Sequence, residues 1–267
     1  MKILTIGDLH GDFKNVKKVL SKDIDLILLI GDIGKANLGR KYAFQDMNRR
    51  RKGMPELTRT SKQKKAVFDE IYYSTLKILK PLAKLAPTYA ILGNVGSKMI
   101  LESEMKKEEK IAGIKLPRLK KALSKIKRFY LVRNKLKKLK KLKIGFLEYF
   151  VEDSWVRNFD PTNRDRLKKA IKATKKARKA LKSFKKTDIL ICHQPPYGIL
   201  DKVTAKFAPK SWQGKHAGSK AILNYIKKYQ PKYVFCGHIH EGKGKKKLGQ
   251  TEIHNLGLGF YHILKCQ

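Results

Sequence analysis

Short apolar runs recur along the chain, and polar or glycine-containing loops follow most of them. Residues Lys2–Ile6 and 26–30 are continuous apolar runs, and Phe13–Leu20 between them has apolar residues at helical spacing. Continuous runs of this length, bounded by loop residues, are typical of buried strands. The pattern therefore predicts that the chain opens as strand, loop, helix and strand.

The same alternation continues to the end of the chain. Further strands are predicted at 89–92, 144–151, 188–192 and Tyr233–Cys236, with two more inside 251–264. Helices are predicted at Ser61–Leu85, at about 162–184 and at 219–228. Pro81 is expected to kink or divide the first of these because proline cannot donate the backbone hydrogen bond of a helix. The predicted apolar stripe of the second comprises Leu167, Ile171, Ala177, Leu181 and Phe184.

Two basic segments interrupt this pattern. Residues 33–60 are polar, with few apolar anchors, and we interpret them as a partly mobile insertion. Residues 110–147 contain no acidic side chain, but apolar residues recur among them, which predicts a folded segment. We find no internal repeat and no linker. We therefore expect a single domain over 1–267, with basic insertions near 33–60 and 110–142.

The charge balance adds a question about partners. The chain has 63 Lys and Arg against 22 Asp and Glu, a net charge of +41. Such a surplus attracts polyanions, so nucleic acid is a possible partner through a basic surface. Lysine enrichment also accompanies growth at high temperature or a biased base composition. Both interpretations stay open, and the sequence leaves the oligomeric state open as well.

Cysteine usage and hydropathy predict a cytoplasmic protein. Cys192, Cys236 and Cys266 show no paired spacing, so a disulfide framework is not expected and a reducing compartment fits. No signal-like apolar stretch precedes Gly7 and Asp8. No apolar run approaches the length of a membrane span, so none is expected.

The candidate chemistry lies where the predicted strands end. At five strand ends the next residues include Asp, Asn or His. The seven candidate metal ligands are Asp8, His10, Asp32, Asn94, His193, His238 and His240. Because ligand sites gather outside the carboxyl ends of strands, these side chains are expected to converge. Any one of them alone is weak evidence, since a lone Asp after a strand is often a helix cap.

The ligand types indicate which metals the cluster would bind. Mixed His and carboxylate ligands suit first-row divalent metals rather than calcium. Seven ligands are too many for one tetrahedral ion but suit two ions that share a bridging carboxylate. Two ions about 3.5–4 Å apart can clamp a phosphoryl group and activate water. We expect two divalent ions, most simply manganese, with iron, zinc or nickel as alternatives.

In this order the motifs resemble those of the calcineurin-like metallophosphoesterases. The matching segments are Gly7 to Gly11, Gly31-Asp32, Gly93-Asn94, His193 to Pro196 and Gly237 to His240. The resemblance implies a four-layer αββα sandwich of two mixed sheets flanked by helices. It also implies that Asp8, His10, Asp32 and His240 hold one ion, that Asp32, Asn94, His193 and His238 hold the other, and that Asp32 bridges them.

One position departs from the pattern of that family. Members commonly place a His directly after the Asn, near the substrate's leaving group, and this chain has Val95 there. General acid assistance is worth about 10²–10⁴-fold in rate, so its absence favours esters with good leaving groups. His216 is a candidate replacement acid, although a helix-start residue without a chemical role is an equally simple interpretation.

Two functions follow as hypotheses. The first is a metal-dependent phosphoesterase, with phosphodiesters preferred to monoesters because of Val95. The alternative is a catalytically weak metal-containing module whose basic surface holds nucleic acid or a protein partner. The complete ligand set favours the enzyme, and Val95 favours the module.

Overall fold

The strands of the computed structural model, which describes residues 1–206 and 208–266, form two mixed sheets. They are β1 Lys2–Ile6, β2 Leu26–Leu29, β3 Thr88–Ala90, β4 Phe129–Leu131, β5 Lys135–Leu139, β6 Leu142–Leu147, β7 Ile189–Cys192, β8 Tyr233–Cys236, β9 Gly244–Leu248, β10 Thr251–Asn255 and β11 Tyr261–Lys265. The first sheet has the order β11-β1-β2-β3-β4, and the second has the order β5-β6-β7-β8-β10-β9. The central strands of each sheet are parallel, and β11, β5 and β9 are antiparallel edge strands.

Helices cover the outer faces of both sheets. They are α1 Phe13–Leu20, α2 Asn37–Arg51, α3 Ser61–Leu85, α4 Glu102–Ala112, α5 Leu119–Leu123, α6 Asp153–Phe159, α7 Arg164–Phe184 and α8 Lys220–Tyr229. Side chains cap several of them, and Thr60 and Gln63 form a reciprocal capping box at the start of α3. Within the described residues, no helix combines the length and the apolar character that crossing a bilayer requires.

Alternating strand residues build three apolar layers. In β2, Leu26 and Leu28 face the second sheet, whereas Ile27 and Leu29 pack with α1 and α3. In β7, Ile189 and Ile191 point between the sheets, and Leu190 packs with α7 and α8. The continuous apolar runs of the sequence are therefore strands buried on both faces. This arrangement confirms the four-layer αββα sandwich.

The structure differs from the sequence-based elements at a few places. Residues 33–60 contain the regular helix α2, which the low apolar content of the segment did not predict. Pro81 lies inside α3 and does not divide it, since Ile78, Leu79 and Leu82 bury the helix on both sides of the proline. Ile171 of α7 is 45% exposed and does not belong to the buried stripe, which runs through Ala170, Thr174, Ala177, Ala180, Leu181 and Phe184.

Candidate metal centre

The ends of parallel strands from both sheets meet at one edge of the sandwich. Asp8 and Asp32 follow β1 and β2, and Asn94 follows β3, all in the first sheet. His193 follows β7, and His238 and His240 follow β8, in the second sheet. The seven residues, with His10 after β1, form what we call the ligand cluster. The structure thus brings together every candidate ligand of the sequence.

The first half of the ligand cluster contains Asp8, His10 and His240. Asp8 Oδ2 lies 3.1 Å from His240 Nε2. The Nε2 atoms of His10 and His240 lie 3.4 Å apart. One oxygen or nitrogen of each of these three residues lies within 4.8 Å of the others, a spacing that suits a common metal ion. This half of the ligand cluster therefore offers one carboxylate and two imidazole nitrogens to a single metal position.

The second half is arranged around His193. Its Nε2 lies 3.0 Å from Asn94 Oδ1, which is also 3.0 Å from His238 Nδ1. Asp8, Asp32 and His193 form a second group whose ligand atoms lie within 4.8 Å of one another. Asp32 Oδ2 is 3.6 Å from His193 Nε2 and also 3.6 Å from His10 Nε2. Asp32 is therefore equally close to both halves.

Backbone contacts fix the orientation of several ligands. His193 Nδ1 lies 3.0 Å from the carbonyl oxygen of Ile30, to which it donates, and this leaves Nε2 as the nitrogen with a lone pair facing the cluster. The Val95 amide donates to Asp32 Oδ1 at 2.8 Å, so Oδ2 is the oxygen that stays available. The His238 amide donates to Asp8 Oδ2 at 2.6 Å.

Electrostatics favour the metal-binding form of Asp8, His10 and His238. Burial lowers the pKa of His10, and burial together with the neighbouring His193 lowers the pKa of His238 to about 3. For Asp8, burial opposes ionisation, but His193 and His240 lower its pKa overall. Burial acts to lower the pKa of His240, but the hydrogen bond and the charge of Asp8 outweigh it, so the pKa of His240 is raised overall. Neutral imidazoles and ionised carboxylates are the forms that coordinate metals.

Buried polar atoms without partners test whether the residues fit a metal. Asp8 Oδ1 and His10 Nδ1 are buried and have no hydrogen-bond partner in the described structure. Leaving such atoms unpaired costs about 1–3 kcal/mol each, more for a charged group. A divalent ion beside Asp8 would compensate its Oδ1. The donor set and these unpaired atoms fit a metal centre.

Two glycines let the backbone approach the carboxylates. A Cβ atom at Gly93 would lie 2.2 Å from Asp32 Oδ1, and one at Gly237 would lie 2.8 Å from both carboxylate oxygens of Asp8. A side chain at either position would collide with a ligand. The glycines of the Gly93-Asn94 and Gly237-His238 pairs are therefore required by close packing.

Three ligands have left-handed backbone conformations. The φ angles are 44° for His10, 38° for Asp32 and 66° for His238. Residues other than glycine adopt this region at a cost of about 1–3 kcal/mol each, and such residues concentrate at functional sites. The strain supports a role for these residues beyond folding.

A cleft of about 430 Å³ opens beside the ligand cluster. One side has His10, Asp32, Asn94, His238 and His240. The lining also includes an apolar cluster, which we call the aromatic wall, formed by Trp155, Phe159 and Trp212 with Val203, Ala208, Ala217 and Ile239. Trp155 stacks on Phe159 with ring centres 5.0 Å apart. The sequence analysis missed this wall because its aromatic residues come from α6 and an irregular loop.

Arg40, Tyr149 and Arg166 also line the cleft. Arg166 lies 4.6 Å from the centre of the Trp155 ring and hydrogen-bonds Asp160. Tyr149 contacts the His193 and His238 rings at 5.5 Å and 5.4 Å, and burial followed by the charge of Asp32 raises its pKa to about 12. Tyr149 is therefore a neutral hydroxyl beside the cluster.

His216 and Val95 lie outside the lining of this cleft. His216 Nδ1 is 2.6 Å from Asp201 Oδ1, and among the residues described the cleft is lined by the neighbouring Ala217, Gly218 and Ser219. The Val95 side chain is buried. A role for His216 as the leaving-group acid stays a prediction.

Comparison with known proteins agrees with the motif pattern. Residues 1–242 match the family model described as calcineurin-like phosphoesterase. Human metallophosphoesterase domain-containing protein 1 is 42% identical over 69 residues, which cover 26% of this chain and 19% of that protein. The UPF0046 protein K07C11.7 of Caenorhabditis elegans is 35% identical over 69 residues, covering 26% and 21%. The chain thus matches only about a fifth of the length of these curated relatives.

Solved structures are similar over nearly the whole chain. The phosphopantetheinyl hydrolase of Mycobacterium tuberculosis has a TM-score of 0.52 and 13% identity, with 97% of this chain and 89% of that chain covered. Another solved structure has a TM-score of 0.61 and 16% identity, with 98% and 94% covered. At these identities the likeness concerns the fold.

Proposed function

Because the chain belongs to the calcineurin-like phosphoesterase family, we propose that it binds two divalent metal ions in the ligand cluster and hydrolyses phosphodiesters in preference to monoesters. The convergence of seven metal-binding side chains beside a cleft carries this proposal. A cluster that served only to stabilise the fold would not need an open cleft next to it.

The ligands divide into two sets that share Asp32. We assign Asp8, His10, Asp32 and His240 to one ion and Asp32, Asn94, His193 and His238 to the other. The equal distances from Asp32 Oδ2 to the imidazoles of His10 and His193 support the bridging position. Asp8 belongs to both groups of ligand atoms that lie within 4.8 Å of one another, so its carboxylate is close to both sets of ligands.

The imidazole and carboxylate ligands favour manganese, with iron, zinc or nickel as alternatives. When bound, two such ions would activate water and balance the charge of the reacting phosphoryl group. The chain's own residues hold the ligand geometry through the Ile30 carbonyl and the Val95 amide. Arg40 and Arg166, on the lining of the cleft, would attract the phosphate of the substrate.

The aromatic wall supports the preference for diesters. A phosphodiester has a second organic group, which a monoester lacks, and this group needs a surface to lie on. Trp155, Phe159 and Trp212 offer an apolar surface in the same cleft as the ligand cluster. Since aromatic rings attract one another by about 0.5–1.5 kcal/mol beyond their burial, esters with an aromatic group should bind best.

The leaving group is the second determinant of substrate choice. Val95 offers no proton, and His216 is directed to Asp201. Esters whose leaving oxygen departs without protonation are therefore favoured, and aryl phosphodiesters meet both conditions.

We also propose a cytoplasmic location and one domain over 1–267. Free thiols at Cys192, Cys236 and Cys266 support a reducing compartment. A layer of apolar residues between the two sheets supports a single folding unit.

Metal analysis combined with a substrate panel tests the proposal. The purified chain is stripped of metal, reloaded separately with Mn²⁺, Fe²⁺, Zn²⁺ or Ni²⁺, and its metal content is determined by elemental analysis. Each form is then assayed with bis(p-nitrophenyl) phosphate and with p-nitrophenyl phosphate. We expect two ions per chain and a higher kcat/KM for the diester.

The control is His254→Ala, which removes a histidine outside the ligand cluster. This variant should keep both ions and full activity. A stoichiometry of zero or one would overturn the two-ion proposal. A preference for the monoester would overturn the proposed substrate class, and two ions without hydrolysis of either ester would favour the binding module.

A further inference from the structure

A second concave surface lies between α3 and α5, on the helical layer of the first sheet. We call it the basic groove. Its volume is about 780 Å³, and it shares no lining residue with the cleft of the ligand cluster. Its cationic residues are Lys80, Lys84, Arg118, Lys121, Lys125, Lys127 and Arg128, and its other lining residues are Tyr72, Leu76, Ala83, Ala122 and Ile126.

The charge of the basic groove exceeds what the composition explains. Seven of its twelve lining residues are Lys or Arg, whereas 63 of the 267 residues of the chain are. None of the lining residues is acidic. The charged residues of this lining are therefore all cations.

Most of these cations lack a carboxylate partner. Arg118 is bound by Glu109, with hydrogen bonds of 2.8 Å and 2.7 Å, and by Glu102. The other six form no ion pair within the part of the chain that the structure describes. All six are exposed. Six neighbouring positive charges without partners repel one another, and a bound polyanion would relieve that repulsion.

The floor of the basic groove indicates the kind of polyanion. Tyr72, Leu76, Ala122 and Ile126 are half-buried and form an apolar strip below the lysines. A single-stranded nucleic acid has both features that match, phosphates for the rim and flat bases for the floor. A membrane surface is flat and would not reach into a groove, and a duplex hides its bases.

We propose that the basic groove between α3 and α5 binds single-stranded nucleic acid, with the lysines on the phosphates and the apolar strip beneath the bases. This binding does not depend on the phosphoesterase activity. It assigns a second ligand class to a surface separate from the ligand cluster.

The salt dependence of binding provides a quantitative test. For single strands, log K falls with log salt concentration with a slope of about −0.7 per phosphate neutralised. If six cations each neutralise one phosphate, the slope should be about −4. Binding of a labelled oligothymidylate to the full chain is measured by fluorescence anisotropy over a salt series, and electrophoresis verifies that the probe stays intact.

Two triple variants with the same change in charge separate a defined site from general attraction. The groove variant is Lys80→Gln, Lys84→Gln and Lys125→Gln. The matched control is Lys172→Gln, Lys176→Gln and Lys179→Gln, which removes three exposed lysines from α7. The groove variant should lower the steepness of the slope by about two and weaken binding by at least tenfold at low salt, whereas the control should change both little.

Three outcomes would overturn the proposal. Equal loss in both triple variants would mean that net charge alone attracts the oligomer. Tighter binding to a duplex of the same length, or to vesicles containing phosphatidylserine, would mean that the ligand is not a single strand. A Tyr72→Leu variant with unchanged affinity would exclude base contact with the floor. The melting temperature of each variant is compared with that of the wild type. A matching value shows that a loss of binding is not caused by misfolding.

Discussion

The ligand cluster and the basic groove are both concave and both polar, but they are built in opposite ways. The cluster uses side chains that follow strand ends, and Asp8, Asp32 and His193 in it are buried. Backbone amides and carbonyls hold several of them directly. The groove uses cations of α3, of α5 and of the turn after α5, and six of its seven cations form no ion pair among the described residues. Backbone contacts set the geometry of the ligand cluster, whereas binding at the basic groove depends on the density of positive charge.

This difference predicts how each site responds to substitution. Removing one buried ligand leaves the charges of the other ligands uncompensated, so the loss of metal binding and activity should be large. The neighbouring ligands should not make up for it. Removing one exposed lysine leaves five other unpaired cations, four lysines and Arg128, so the loss of affinity should be small and additive.

Asp32→Asn should have the largest effect, because it removes the carboxylate that faces both halves of the cluster. The amide oxygen can still accept from the Val95 N–H, so the local fold should persist. We expect kcat/KM for a phosphodiester to fall by at least about 10²-fold, since even residues that only orient metal ligands are worth 10–100-fold. Elemental analysis should find fewer than two ions per chain.

The control for this variant is Asp165→Asn, which removes an exposed carboxylate at the start of α7. It should keep both ions and full turnover. Oligonucleotide binding should be unchanged in Asp32→Asn, because the basic groove lies elsewhere. Two ions and full activity in Asp32→Asn would exclude the bridging role.

Trp155→Leu should affect substrate choice by removing part of the aromatic wall. We expect kcat/KM for bis(p-nitrophenyl) phosphate to fall by about tenfold, as expected for the loss of aromatic contact. Methyl p-nitrophenyl phosphate has the same leaving group but no second ring, so its kcat/KM should change little. Steady-state kinetics on the two diesters provide the comparison.

Tyr130→Leu is the control, since it removes a half-exposed ring on β4 that stacks on Tyr89 away from the cleft. It should leave the ratio of the two diesters unchanged. An equal fall for both diesters in Trp155→Leu would mean that the ring supports the fold and not the substrate.

Val95→His should improve substrates with poor leaving groups. An imidazole is longer than the buried valine side chain, and position 95 directly follows Asn94 of the cleft lining, so we expect it to reach the leaving oxygen. It would donate a proton there, which alkyl phosphomonoesters need most. We expect their kcat/KM to rise by up to about 10²-fold and that of activated aryl diesters to rise less. Val95→Gln adds a polar side chain that does not titrate, so it should give no such selective gain. Equal gains in Val95→His for all leaving groups would mean that Val95 does not mark a missing acid.

Glu109→Gln should change the basic groove slightly and leave the cleft unchanged. The Arg118 guanidinium and the Leu116 amide lower the pKa of Glu109 to about 2 from its ordinary 4.5. The lowered pKa stabilises the fold above about pH 4.5, and this contribution is lost as the pH falls from 4.5 toward 2. Urea unfolding of wild type and Glu109→Gln should therefore differ at neutral pH and converge near pH 2.

Arg118 still pairs with Glu102 in this variant, so the double variant Glu102→Gln/Glu109→Gln is needed to free it as a seventh cation without a carboxylate partner. Oligonucleotide binding should become steeper in salt by about 0.7 in slope. Glu104→Gln, on the exposed side of α4, is the control and should change neither measurement. An unchanged salt slope in the double variant Glu102→Gln/Glu109→Gln would separate Arg118 from the binding surface.

The sequence predicted eight of the eleven strands and the residues of the ligand cluster because both follow from local patterns, but it missed the edge strands β4, β5 and β9. Buried parallel strands appear as continuous apolar runs, and a ligand that directly follows a strand is positioned by the strand itself. The strand Tyr233–Cys236 and its His238 were both expected for this reason. The order of the motifs along the chain then indicated the family.

The rest depends on contacts between distant segments, which no local pattern reports. Trp155 and Trp212 meet only when α6 packs against the loop after β7, with ring centres 5.5 Å apart. The residues of the basic groove are distributed over α3 and the segment around α5, and they become a groove only in the folded chain. Ile171 had helical spacing but lies on the solvent side of α7, because alanines near it pack more closely on the sheet.

The left-handed conformations of His10, Asp32 and His238 have a consequence for any selection experiment on this chain. Glycine at these positions would relax the backbone, at a gain of about 1 kcal/mol or more for each, and would delete a ligand. A library screened only for thermal stability in the presence of a chelator should therefore enrich such substitutions early. A library that is also screened for catalysis should retain all three residues. Comparing the two populations would identify the positions where this chain gives up thermal stability for catalytic activity.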